Sequence, residues 1–158
     1  MRAEYFLCHS LSAGNTLREM LGRDETLMAL TLPCAPAASA AVREKLSHID
    51  GLGWILGDVM LVASELVNNA VTHSGATPNH DLQVRASRHA ELLTISVRDP
   101  GLSGSHAGPA PPTDNGVGGW GLRIVDALCE RWGEERDHGY VVWAELSLSR
   151  GDGSAASL

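Results

Sequence analysis

Between Trp54 and Thr72, apolar residues recur at spacings of three and four: Leu56, Val59, Met60, Ala63, Val67 and Ala70. That period predicts an amphipathic helix with one apolar stripe. Gly75 and Pro78 end it. At about 100° per residue, Asp58, Glu65, Asn69 and Thr72 fall on the opposite side. The helix therefore buries one face and offers polar groups on the other.

The rest of the chain alternates between strand and helix signals. Met28–Leu32 has the alternation of a strand and is stopped by Pro33 and Pro36. Residues 37–49, rich in Ala, Arg, Glu, Lys and Leu, predict a helix. Leu82–Ala86 and Leu92–Val97, separated by polar residues around His89–Glu91, form a β-hairpin pattern, which Asp99-Pro-Gly101 ends sharply. Leu102–Gly119 holds mostly Gly, Pro, Ser and Ala and is far longer than the usual connection of about four to six residues. Gly121–Trp132 predicts a helix with Leu122, Val125 and Leu128 on one face, and Tyr140–Leu148 a final strand. Residues 1–26 read as a flexible arm, with at most a helical turn or two around Thr16–Leu21, and 150–158 as a frayed tail. The expectation is one domain over 27–149, with no internal repeat.

Composition narrows the class. A chain of 158 residues, 44% hydrophobic and 20% charged, suits a single domain with a real core. A net charge of −7 argues against broad nucleic-acid binding, which rests on Lys and Arg meeting phosphates. Cys8, Cys34 and Cys129 are widely spaced, with no CxxC pair, and read as plain thiols of a reduced, cytoplasmic chain. No unbroken apolar run reaches the roughly 18 residues of a bilayer span, and the N-terminus carries no long apolar signal core. The His residues show no metal-ligand spacing, and His73 reads as a packing or helix-end residue.

Three segments carry candidate chemistry. Glu65 and Asn69 lie at i, i+4, one turn apart on one helix face. An Asn supplies a neutral oxygen suited to Mg²⁺ already neutralised by phosphates, and a nearby Glu can take a proton. The same pair also fits a plain solvated face. Asp99-Pro-Gly101 places an acid at a strand end, where it can accept from an exocyclic amine; it fits an ordinary turn as well. Gly116-Val-Gly-Gly-Trp-Gly-Leu122 opens a helix, where bare backbone N–H groups bind phosphate, or where the chain simply turns tightly. It is neither a Walker A loop nor a Rossmann fingerprint.

In this order the segments resemble the GHKL group of ATPases and kinases. Ser64-Glu-Leu-Val-Asn-Asn-Ala-Val-Thr-His73 looks like the N box, Asp99-Pro-Gly101 like the G1 box, and Gly118-Gly-Trp-Gly-Leu-Arg-Ile-Val125 like the G2 box. The resemblance covers roughly residues 28–148 and is closest to the stand-alone anti-sigma factor serine kinases. It implies an α/β two-layer sandwich of the Bergerat type: a mixed, mainly antiparallel sheet under helices. It also implies ATP and Mg²⁺, with Asn69 ligating the metal and Glu65 as general base. Asp99 would read the adenine amine and Gly101 would line the base pocket. Gly118, Gly119, Trp120, Gly121 and Leu122 would form the phosphate side, and 102–118 the lid. Two positions depart from the pattern. Trp120 stands where relatives often carry Arg, and Val141, in Gly139-Tyr-Val-Val-Trp143, where many carry a Thr that helps hold the adenine end.

The resemblance implies a serine/threonine kinase acting on a small anti-anti-sigma protein, with a sigma factor as a further partner and a homodimeric assembly. The alternative is a non-catalytic ATP-binding regulator that sequesters a sigma factor or another partner. Glu65 favours the kinase, because a pure binder has no need of a base. A histidine kinase has no room here for a helix pair bearing its phospho-accepting His. A gyrase- or chaperone-type motor lacks a second domain to couple to.

Overall fold

The computed structural model describes residues 24–101, 120–136 and 139–149. Among the described residues, five strands and three α-helices fold in the order β1 (Glu25–Pro33), α1 (Ala38–Leu46), α2 (Leu56–His73), β2 (Asp81–His89), β3 (Leu92–Asp99), α3 (Trp120–Leu128), β4 (Arg131–Arg136) and β5 (Tyr140–Ser147). A 3₁₀ turn at Gly53–Ile55 leads into α2. The strands form one sheet in the order β1-β2-β3-β5-β4, and every neighbouring pair is antiparallel. The expected sandwich is present, and its sheet is antiparallel throughout these pairs.

Alternation decides which sheet face is covered. Leu82, Val84 and Ala86 on β2, Leu93, Ile95 and Val97 on β3, and Val142, Ala144 and Leu146 on β5 are buried. The register places Ala86 opposite Ile95 and Ile95 opposite Ala144, so these side chains form apolar rows across the sheet. α2 lies over β3 and β5 with α1 and α3 on its two flanks. Because it is flanked as well as floored, its buried face includes Val62, Leu66 and Ser64, wider than the stripe read from the sequence. Gly53–His73 is long and apolar enough to cross a bilayer by length and composition alone, but its apolar side is spent on the sheet. Asp58, Glu65, Asn68 and Asn69 interrupt the remainder.

Two expectations need correcting. The helix expected over Gly121–Trp132 ends at Leu128, and Arg131–Arg136 is the edge strand β4. Trp132 continues the helical spacing, but Glu130 N–H donates to the Glu145 carbonyl and turns the chain onto β5. Gly133 then leaves room for the Trp143 ring: a Cβ there would sit 2.8 Å from Trp143 Cζ2. The helix expected over 37–49 likewise stops at Leu46. The arm and tail calls for 1–26 and 150–158 fall almost wholly outside the described residues, although β1 already begins at Glu25.

Candidate active site

The site begins with how α2 is held. On its α1 side, Arg43 donates from one guanidinium nitrogen to Ser39 Oγ at 2.9 Å and to Ser64 Oγ at 3.1 Å. Ser64 in turn donates to the Met60 carbonyl at 2.7 Å. This clamp sets the rotation of α2 one residue before Glu65. Glu65 then points toward α3. A Cβ built on Gly121 would lie 2.5 Å from Glu65 Oε2, so the Glu65 carboxylate can hold this position only while residue 121 is glycine. Asn69 follows one turn further along α2, on the same side and half-buried.

Asp99 ends β3 on the helix-covered face and is 4% exposed. Its Oδ1 accepts the Gly101 N–H at 2.6 Å, which closes the Asp-Pro-Gly turn. Gly101 has φ 66°, and a Cβ there would sit 3.3 Å from Gly139 and Tyr140 backbone. Gly139 is tighter still, its Cβ position 2.6 Å from the Asp99 carbonyl. Two glycines thus press the end of β3 against the start of β5. Burial raises the Asp99 carboxyl above its ordinary value, and the Gly101 N–H partly offsets that.

A family profile for the histidine kinase-like ATPase domain matches residues 31–146. The chain belongs to this family. Its ATPase domains bind ATP, generally with Mg²⁺. No protein of curated function matches the sequence. Among solved structures, the RsbU and RsbW domains of Rv1364c from Mycobacterium tuberculosis share the fold with TM-score 0.53 and 22% identity over 82% of this chain. This chain spans 33% of that one. The histidine kinase domain of the blue-light activated histidine kinase from Erythrobacter litoralis EL346 has TM-score 0.48 and 21% identity, over 82% of this chain and 67% of that one.

Within this histidine kinase-like ATPase domain Glu65 and Asn69 share one side of α2, and Glu65 abuts Gly121 at the start of α3. Asp99 and Gly101 stand at the end of β3, against which α2 packs. Leu122 is buried and anchors the start of α3. Trp120 is the first residue of α3. Gly118, Gly119 and the 102–118 segment lie outside the described residues.

Val141 does not occupy the position its place in the sequence suggested. It pairs with Arg98 and Glu135 on the sheet face turned away from the helices. The residue opposite Asp99 is Tyr140, on the same face and buried. Its hydroxyl donates to the Glu134 carboxylate, and the Arg136 guanidinium lies 5.9 Å from its ring centroid. Burial, Glu134 and Asp99 push the phenol well above the usual tyrosine range. Sequence reading missed Tyr140 and Glu134. Strand parity relative to Asp99 would have found Tyr140, but only once the β3–β5 register was known.

Cys129, just past α3, is a plain thiol: burial and the carboxylates of Asp126 and Asp58 push it up to about 12. Among the described residues, no group of three or more His, Cys, Asp or Glu could hold a metal.

Proposed function

We propose that this chain binds Mg-ATP and transfers its γ-phosphoryl group to a serine or threonine of a small partner protein, as an anti-sigma factor kinase acting on an anti-anti-sigma protein. The observation that carries the reading is the seating of Glu65 against Gly121, one turn from Asn69, with buried Asp99 at the end of β3. The motif resemblance and the fold shared with a structure that contains an RsbW domain support the regulatory context.

The residues present fit the nucleotide. Asp99 is a buried acceptor whose Oδ1 takes the Gly101 N–H, and a carboxylate has further lone pairs with which to accept from an exocyclic amine. Gly101 and Gly139 hold the end of β3 tightly against the start of β5 and so fix where the Asp99 carboxylate stands. Asn69 would hold Mg²⁺ through a neutral oxygen, and the ion would bring charge neutralisation to the phosphates. Glu65 would accept the proton of the attacking hydroxyl as its oxygen bonds to the γ-phosphorus and ADP leaves. Gly121 and the start of α3 would set how close Glu65 comes to the phosphates.

Calorimetry with Mg-ATP tests the first half, with Asn69→Ala expected to bind at least tenfold more weakly. Transfer of labelled γ-phosphate to a co-encoded single-domain partner tests the second. Absence of nucleotide binding at millimolar ATP would sink the reading. Binding without transfer to any co-encoded partner would leave the non-catalytic regulator.

A further inference from the structure

The N-terminal turns of α2, on the face that one turn later carries Glu65, hold a feature the nucleotide site does not use. Among the described residues, Trp54 and Leu61 are the large hydrophobics left exposed, at 51% and 42%. Trp54 lies in the 3₁₀ turn that leads into α2 and Leu61 two turns further on, with Gly57 between them. Gly57 lies in the first turns of α2, and a Cβ built there meets nothing within 4 Å; Gly53 is equally open. Glycine is among the poorest helix formers, and packing within this chain gives no reason for it here. Trp54, Gly57 and Leu61 together make two apolar knobs with a bare gap between them.

Charge says what fits the gap. Asp58 is on α2 one turn before Leu61 and four residues after Trp54, and is exposed. Asp126 on α3 accepts the Trp132 indole N–H at 3.1 Å, and it and Asp58 both act on the Cys129 thiol, which puts the two acids near one another. Asp50 sits in the turn that leads to Trp54. An acidic rim around an apolar strip repels an anionic membrane and a second copy of itself. The strip is also far smaller than the roughly 800 Å² per partner of a stable dimer.

We propose that this face docks an amphipathic helix of a partner protein, with one apolar side chain seated over Gly57 between Trp54 and Leu61 and Lys or Arg residues facing Asp50, Asp58 and Asp126. The surface goes beyond the nucleotide reading and needs no nucleotide to bind. Leu61 precedes Glu65 by one turn, so a docked partner lies along the helix that carries the candidate base.

The test uses a fluorescein-labelled helical peptide of about 18 residues, five turns long. Leucines run along one face with lysines beside them, and a control peptide carries glutamates in place of lysines. Anisotropy without nucleotide should show the lysine peptide binding and the glutamate peptide at least tenfold weaker. Trp54→Ala and Leu61→Ala, which leave the charge unchanged, should each weaken binding at least tenfold. Gly57→Ala should weaken it at least fivefold while the thermal midpoint stays level or rises, which separates lost docking from lost folding. No binding of the lysine peptide, or equal binding by all variants, overturns the proposal. So does wild-type self-association, or co-sedimentation with vesicles of phosphatidylcholine and phosphatidylglycerol, that Leu61→Ala abolishes.

Discussion

A Cβ at residue 121 would come within 2.5 Å of Glu65 Oε2, so Gly121 and Glu65 compete for one space. The atom in the way is the far end of a flexible side chain, and Gly121→Ala is therefore accommodated by moving Glu65. Alanine is also the better helix former by up to about 1 kcal/mol. Gly121→Ala is expected to keep or slightly raise the thermal midpoint. Phosphoryl transfer should fall by about tenfold to a hundredfold, because a displaced base loses its alignment. A variant with wild-type transfer rates would separate Glu65 from the chemistry.

Asp99 sets function against stability. Its carboxyl pKa is raised by burial, so the folded protein holds the proton more tightly than the unfolded chain does. Its contribution to stability is thus fully present below the ordinary aspartate value of 3.8 and is lost as pH rises through the raised folded value. Asp99→Asn removes that loss and keeps a side-chain oxygen for the Gly101 N–H. At pH 7.5 the variant should melt no lower than wild type, and any gain should shrink as the pH falls toward 4. Its ATP binding should weaken by at least about tenfold, since an amide is a poorer partner for the adenine amine. Melting curves and calorimetry over that pH range check both halves.

Tyr140 offers a spectroscopic test of the β3–β5 register. The chain has two tyrosines, Tyr5 and Tyr140. In a Tyr5→Phe background, the phenolate absorbance near 295 nm reports Tyr140 alone. Burial and the Glu134 and Asp99 carboxylates should hold it protonated well past the ordinary value of about 10, until the protein unfolds in alkali. Titration near 10 in the folded protein would place Tyr140 outside the Glu134–Asp99 cluster. Tyr140→Phe should cost about 1 kcal/mol, the net worth of one hydrogen bond whose acceptor can be re-solvated.

What the sequence disclosed tracks locality. Glu65 and Asn69 were legible because a helix fixes i and i+4 on one face without any tertiary information. Asp99-Pro-Gly101 was legible because turn chemistry is local. The β4 strand was not. Trp132 continues the spacing of Leu122, Val125 and Leu128, and only pairing with β5 explains why the chain turns at Glu130. Tyr140 was hidden for the same reason. A one-residue shift in register moves every side chain to the other face, and sequence places Val141 and Tyr140 equally well until β3 is set beside β5. The distant contacts Arg43–Ser64 and Glu65–Gly121 each depend on how helices pack, so they too appear only in the fold.

The decisive test of the catalytic reading is Glu65→Gln. Glutamine keeps the length and shape of glutamate, so it fits beside Gly121 and leaves the Arg43–Ser64 clamp on the other side of α2 untouched. It cannot take a proton. General-base catalysis is worth about 10²–10⁴-fold. If Glu65 removes the proton from the attacking hydroxyl, Glu65→Gln should bind Mg-ATP within about twofold of wild type while transfer falls at least about a hundredfold. Asn69→Ala should show the reverse emphasis, with nucleotide affinity itself lost because a metal ligand is gone. Calorimetry and single-turnover transfer, run on both variants, separate base from ligand; slow intrinsic ATP hydrolysis serves as the readout where no protein substrate is in hand. Equal transfer by wild type and Glu65→Gln would remove Glu65 from the chemistry. It would also move the function of the Glu65–Gly121 contact from catalysis to holding α2 against α3.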